Sequence, residues 1–150
     1  MNENIAVLMA DVSRMMRRAF DERARTIGVT RPQWQVLSVL KRHEGINQGG
    51  LAEHLDVEPI TLCRMVDRLQ EADLIERRKD PNDRRVWRLF LTEKAKELSA
   101  QLKPLGQQVL SDSMQGLSEA DRDVLFESLS CIRKNLVRRH QDRGLDTTAS

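Results

Sequence analysis

No stretch of this 150-residue chain offers the roughly 20 consecutive apolar residues that a membrane-crossing helix needs. The opening MNENIAVLMADVSR has no basic leader ahead of a hydrophobic block, so no secretory signal is read there. Cysteine is scarce. Cys63 and Cys131 lie far apart, in different predicted helices, which excludes a disulfide framework and fits free thiols in a reducing cytoplasm. His43, His54 and His140 do not fall at ligand spacing with any Cys, Asp or Glu pair on one helix face, and Glu53-His54 has no second ligand four residues on. No metal site and no cofactor are therefore expected. Nucleophile elbow, phosphate loop and metalloprotease spacings are all missing, which argues against an enzyme. A large charge of one sign is missing too: 25 basic against 23 acidic residues leave +2, too little to indicate a nucleic-acid partner by itself.

What is present is helix-forming sequence in one domain's length, organised around Asn47–Thr92. Asn47 can cap a short helix whose apolar stripe is Leu51, Ala52 and Leu55. Asp56-Val57 makes a turn. Pro59 then occupies a first helical position, where a missing N–H loses nothing. Leu62, Val66 and Leu69 recur at helical spacing and face the core. The opposite face carries Ile60, Arg64, Asp67 and Arg68, flanked by Thr61 and Cys63. A helix buried on one side and offering Thr and Arg on its early exposed turns suits a major groove. Thr61 and Arg64 would meet base edges or nearby phosphates, and Arg68 the backbone or a neighbouring acid. Two alternating segments follow, Leu74–Arg78 and Val86–Leu91, separated by the turn residues Asp80-Pro81-Asn82-Asp83. Between Glu76 and Arg88, six basic residues stand against three acidic ones, a local surplus suited to phosphate. The carboxylate of Asp83 can pin an arginine or the N–H groups of the turn. Asn47 and Gln48 can offer hydrogen bonds to phosphate while also opening their helix.

Amphipathic helices flank this core. Residues 4–26 repeat Ile5, Leu8, Met9, Val12, Met15, Met16, Ala19 and Phe20 at steps of three and four. Gly28 ends that helix, and Thr30 with Gln33 fits a capping box for the next, which carries Trp34, Val36, Leu37, Val39 and Leu40. Thr92 caps a third section, with Leu98, Leu102, Leu105, Val109 and Leu110 on one side and Pro104 interrupting it. Ser118 caps a last helix striped by Val124, Leu125, Leu129, Ile132, Leu136 and Val137, in which Cys131 reads as packing. The fold class is mainly α with a small β-hairpin: a winged helix-turn-helix over about 30–92, with dimerisation helices over 4–26 and 93–140. Residues 1–140 are expected to form a single domain, and 141–150 a disordered tail. The unpartnered stripes suggest a symmetric homodimer.

The stretch LAEHLDVEPITLCRMVDRLQEADLIERRKDPNDRRVWRLFLTEKA resembles the DNA-binding core of the MarR family of bacterial transcriptional regulators. Thr30-Arg31-Pro32-Gln33-Trp34 and Leu91-Thr92-Glu93-Lys94-Ala95 lean towards its SlyA branch. The family's Asp-x-Arg wing signature is present as Asp83-Arg84-Arg85. Gly50 and Ala95 depart from the pattern, away from the expected DNA contacts.

The resemblance implies a triangular dimer that carries two winged lobes and binds a pseudo-palindromic double-stranded operator in the cytoplasm. It places the minor-groove arginine at Arg85, with Arg84 on phosphate. A repressor released by a small aromatic or anionic ligand is expected. Relatives hold such ligands between the dimer helices and the winged lobe, where Met16, Trp34 and Leu37 could form walls and Arg14 or Arg17 bind a carboxylate. The plainer alternative makes Trp34 and Met16 core and the arginines solvated. Peroxide-sensing relatives keep their reactive cysteine in the first helix, where this chain has none, so Cys63 reads as filler. A winged-helix protein-interaction module and a cysteine-based redox regulator are the competing functions.

Overall fold

The computed structural model describes residues 4–146. Its elements run α1 (Ile5–Arg25), α2 (Arg31–Arg42), α3 (Gln48–Leu55), α4 (Pro59–Glu71), β1 (Ile75–Lys79), β2 (Trp87–Leu91), α5 (Glu93–Ser113) and α6 (Glu119–Asp146). Helices and one hairpin in this order make a winged helix-turn-helix. The chain divides into two compact units, residues 1–110 and 111–150.

In the first unit, the local signals act where the sequence places them. The Ala6 N–H donates to Asn4 Oδ1 at 2.9 Å and opens α1. The Thr30 N–H donates to Gln33 Oε1 at 3.0 Å, and the Gln33 N–H returns to Thr30 Oγ1 at 3.5 Å, completing the capping box. The Gly50 N–H donates to Asn47 Oδ1 at 2.7 Å and starts α3. Asp56 ends it in the left-handed region with φ of 53°, a conformation that a short polar side chain tolerates. The core joins Val36, Leu37 and Leu40 of α2, Leu51 of α3, and Leu62, Val66 and Leu69 of α4 to Ile75, Leu89 and Leu91 of the hairpin. Leu102 of α5 closes it.

The hairpin is antiparallel, in register from Ile75 opposite Leu91 to Lys79 opposite Trp87. Residues 45–47 extend it, which periodicity alone does not reveal. Asn47 bridges Arg88, the Leu89 N–H donates to the Ile46 carbonyl at 3.0 Å, and the Gly45 N–H to the Leu89 carbonyl at 2.9 Å. The connector between α2 and α3 is thereby tied to the wing.

α5 is capped by Thr92, whose hydroxyl accepts the Ala95 N–H at 3.1 Å, and runs unbroken through the expected interruption at Pro104. Pro104 is exposed, so the hydrogen bond it removes lies on the solvent side and the buried face stays intact. Leu102 and Val109 are buried along α5, whereas Leu110 is exposed. In the second unit, Ser118 and Asp121 cap each other: the Asp121 N–H reaches Ser118 Oγ at 3.1 Å, and the Ser118 N–H reaches Asp121 Oδ2 at 3.3 Å. α6 then continues to Asp146, past the expected start of a tail at Gln141; residues 147–150 lie outside the described residues. Cys131, read as packing, is exposed. Among the described residues no helix is long and apolar enough to cross a membrane.

Candidate nucleic-acid interface

α4 is held down by Leu62, Val66 and Leu69, all buried, and therefore turns Ile60, Thr61, Arg64 and Arg68 outward, all exposed. Among the described residues, Arg64, Arg68 and Arg84 enter no ion pair. Asp67, on the same face, is occupied: Arg77 Nη2 lies 2.7 Å from its Oδ1. Arg77 projects from β1 and is the hub of this region. Its Nε donates to Gln48 Oε1 at 2.9 Å, its Nη1 to Gln70 Oε1 at 2.8 Å, and its Nη2 comes within 4.0 Å of Cys63 Sγ. One guanidinium thus ties α3, α4 and the wing strand together. The amide oxygen of Gln48 is committed to Arg77, which turns its amide nitrogen, the atom able to donate to phosphate, to other partners. Asn47 likewise spends its side-chain oxygen on the Gly50 N–H. The spacing of 29 residues between Gln48 and Arg77 explains why no local pattern announces the pairing.

At the wing, Asp83 behaves as the residue types suggest. Its Oδ1 accepts the Arg85 backbone N–H at 3.0 Å and Arg85 Nε at 3.2 Å, and its Oδ2 lies 3.5 Å from Arg85 Nη2. The Arg85 side chain nonetheless remains 91% exposed. A second carboxylate, not singled out by sequence, sits beneath it. Asp80 Oδ1 accepts the N–H groups of Asn82 at 2.7 Å and Asp83 at 3.2 Å, and its Oδ2 accepts Arg88 Nε at 2.5 Å. The Asn82 N–H and the Arg88 guanidinium together hold the Asp80 carboxyl below the usual aspartate range. Arg88 Nη1 also donates to the Gly45 carbonyl at 2.9 Å. Arg78 pairs with Glu76 at 3.0 Å, which lowers the Glu76 pKa, and it stacks 4.2 Å over Phe90. Between the wing and the start of α3 lies a groove of about 310 Å³ lined by Asn47, Gln48, Gly49, Arg85, Val86 and Trp87.

A separate cavity of about 320 Å³ is lined by residues of α1, α2 and α5, among them Phe20, Trp34, Leu37, Lys41, Ser99 and Lys103. Phe20 meets Trp34 edge to face with ring centroids 4.8 Å apart. Trp34 Nε1 donates to Asp21 Oδ1 at 2.7 Å, and Arg31 Nε to Asp21 Oδ2 at 2.6 Å. Burial pushes the Asp21 pKa up, but these hydrogen bonds and the Arg31 charge outweigh it and the net shift is downward. Of the residues expected at an effector site, Trp34 and Leu37 line this cavity, whereas Arg14, Met16 and Arg17 do not. Arg14 pairs with Asp11 on exposed helix surface at 3.1 Å; the cations that do line the cavity are Lys41 and Lys103. Arg17 lies one helical turn before Phe20, near enough for spacing to suggest it, yet its side chain is exposed and does not line the cavity. Ser99 Oγ is buried there without a hydrogen-bond partner among the described residues.

His43 and His54 stack with ring centroids 4.6 Å apart, a pairing the sequence did not suggest. Among the described residues no group of three or more His, Cys, Asp or Glu side chains could hold a metal ion.

A model of the MarR family matches residues 29–87, which span the capping box, α3, α4 and the wing tip. The chain is similar over 90% of its length to the transcriptional regulator PA3341, at 32% identity, 99% coverage of that chain and a TM-score of 0.79. It is similar to the transcriptional regulator SlyA at 26% identity, covering 91% of this chain and 96% of that one, with a TM-score of 0.78. A cysteine-to-serine mutant of MarR from E. coli, solved in complex with operator DNA, aligns at 26% identity over 85% of this chain and 92% of that one, with a TM-score of 0.73. With the winged core, the Asp83–Arg85 wing pair and a 32%-identical structural match over 90% of its length in agreement, the chain belongs to the MarR family of transcriptional regulators.

Proposed function

We propose that the protein is a sequence-specific double-stranded-DNA-binding regulator that acts as a homodimer and represses transcription until a small anionic ligand releases it. The observation that carries this reading is the pairing of two differently built basic elements. One is a core-anchored helix with Thr61, Arg64 and Arg68 exposed; the other is a wing arginine, Arg85, held by Asp83 yet open to solvent. Arg64 and Thr61 suit base edges in a major groove. Arg85 suits a narrow A·T-rich minor groove, where negative potential concentrates, with Arg84 on phosphate. The operator-bound MarR relative supports the same use of the fold here.

Exposed apolar faces on α1 (Ile5, Leu8, Val12, Met15) and α6 (Leu129, Ile132, Leu136) support dimerisation, with residues 1–140 serving as one functional domain in the cytoplasm. A two-fold dimer would present its recognition helices about 34 Å apart and read a pseudo-palindrome. The aromatic-walled cavity with two lysines and the unsatisfied Ser99 hydroxyl suits an aromatic carboxylate. A ligand that prefers a dimer unable to span the operator would shift the population away from DNA.

The test is a titration of the purified protein against duplexes drawn from a random-sequence pool, at several salt concentrations and with or without benzoate. Enrichment of a two-fold symmetric sequence, with affinity that falls as salt rises, is expected. Enrichment of nothing would sink the DNA reading. Affinity unchanged by aromatic carboxylates would remove the ligand. Light scattering that reports a stable 17.3 kDa species would remove the dimer.

A further inference from the structure

From residue 76 to residue 88, along the outer part of the hairpin, the one buried residue is a carboxylate, Asp80. Apolar packing holds the hairpin at Ile75 and Leu89 and goes no further; Val86 is half-buried and Trp87 exposed. A two-stranded ribbon is marginal on its own, so something other than the core must fix where the tip points. A buried carboxylate must also be compensated. Both requirements meet in Arg88. Its Nε holds Asp80 Oδ2 at 2.5 Å and its Nη1 holds the Gly45 carbonyl at 2.9 Å. At the same residue, the backbone bridge to Asn47 ties β2 to the N-cap of α3. Asp80 passes the constraint outward by accepting the N–H groups of Asn82 and Asp83. Asp83 then holds Arg85.

We propose that Arg88 and Asp80 are positioning residues for DNA recognition: a polar brace, fastened to the α2–α3 connector, that sets where the wing carries Arg85. This rests on the reading of Arg85 as the minor-groove residue. Neither brace residue needs to touch DNA. The fork geometry of arginine matters, because two separate acceptors are held at once by one planar group. A lysine can neutralise Asp80 but cannot reach both acceptors in the same way. The brace also reverses a simple electrostatic expectation. Asp80→Asn removes a negative charge beside a DNA-binding surface, so if Asp80 were only a surface charge the variant would bind duplex DNA more tightly. A brace residue predicts the opposite.

The experiment measures binding by fluorescence anisotropy to two duplexes that share one core, selected by the wild-type protein from a random pool. One duplex is flanked by A-tracts and the other by G·C pairs. The variants are Arg85→Ala, Asp80→Asn, Arg88→Lys and the double variant Asp80→Asn/Arg85→Ala, each checked by circular dichroism and urea denaturation. Arg85→Ala should lose about tenfold on the A-tract duplex and much less on the other. Asp80→Asn and Arg88→Lys should show the same flank-selective loss, and the double variant should be no worse than Arg85→Ala alone, because coupled residues are not additive. A stability defect by itself would lower both duplexes together and would add to the loss from Arg85→Ala. Tighter binding by Asp80→Asn, wild-type binding by Arg88→Lys, or additivity in the double variant would overturn the brace. Wild-type affinity in Arg85→Ala on both duplexes would overturn the minor-groove reading and the brace with it, a result distinguishable from failure of the brace alone. Should Asp80→Asn not fold, Arg88→Lys decides, together with hydrogen exchange at the Asn82 and Asp83 amides. These amides should exchange faster in Arg88→Lys than in the wild type, and unchanged exchange would count against the brace.

Discussion

The recognition helix and the wing are both expected to meet DNA, yet they are held by opposite means. α4 is fixed by three buried aliphatic side chains, Leu62, Val66 and Leu69, and its orientation is inseparable from the fold. The wing tip is fixed by charge: Asp80 to Arg88, Asp83 to Arg85. Apolar packing depends on the ionisation of no group, whereas ion pairs at a surface are screened by salt and are lost in acid once the carboxylate is protonated. The helix is therefore built as a rigid reader and the wing as an adjustable one. Arg77 stands between the two regimes, a largely buried guanidinium whose side chain is 15% exposed and joins α3, α4 and β1.

Leu62→Ala should produce the largest effect. Truncation of a fully buried leucine costs about 2–5 kcal/mol, so urea denaturation should show a large loss of stability and DNA binding should fall with it. Near-normal stability would mean that α4 is not fixed by its core face, and the contrast with the wing would collapse. Arg64→Ala should leave stability within about 0.5 kcal/mol while weakening binding by about 1–3 kcal/mol, with relaxed preference at one half-site position if it reads a base. Uniform weakening on all duplexes, with a salt slope smaller by about one, would assign it to phosphate instead.

Acid sharpens the comparison further. The folded-state pKa of Asp80 is lowered, so the unfolded chain binds the proton more readily than the folded one. Its stabilising contribution is present above the unfolded aspartate value of about 3.9 and is lost as pH falls through the folded value. Protection of the Asn82 and Asp83 amides, taken relative to the intrinsic exchange rate at each pH, should therefore be flat near neutrality and fall only in acid. Protection already lost at pH 6 would show that Asp80 does not hold the tip. The smallest effect expected is none: a Cys63→Ser/Cys131→Ser variant should bind like the wild type, and mild peroxide should alter neither protein. Reversible loss of binding in the wild type that is also absent in a Cys63→Ser single variant would overturn the filler reading and make the Cys63–Arg77 contact regulatory.

The sequence made the helix contrast legible and hid most of the polar one. The period of Leu62, Val66 and Leu69 announces a buried face because it repeats within one element, and the capping residues Thr30, Asn47 and Ser118 act on atoms three positions away. The Asp83–Arg85 pair is readable for the same reason. Arg77 with Gln48, Arg88 with Asp80 and Gly45, and Asp21 with Arg31 and Trp34 join residues 8 to 43 positions apart. With 32% of residues charged, each arginine has many conceivable acids, and only the folded backbone selects among them. The same limit put Arg14 and Arg17 forward for a cavity that Lys41 and Lys103 line.

The chain contains two tryptophans and no tyrosine, and the fold sends the indoles to different places: Trp34 lines the cavity and Trp87 lines the groove beside the wing. Excitation of the native protein thus reports from two addresses at once. Substituting Trp87 by phenylalanine would leave an emitter that watches the cavity, and substituting Trp34 would leave one that watches the wing. Whether a small molecule entering at one address changes the light from the other is a direct optical measure of communication between them, with no label attached.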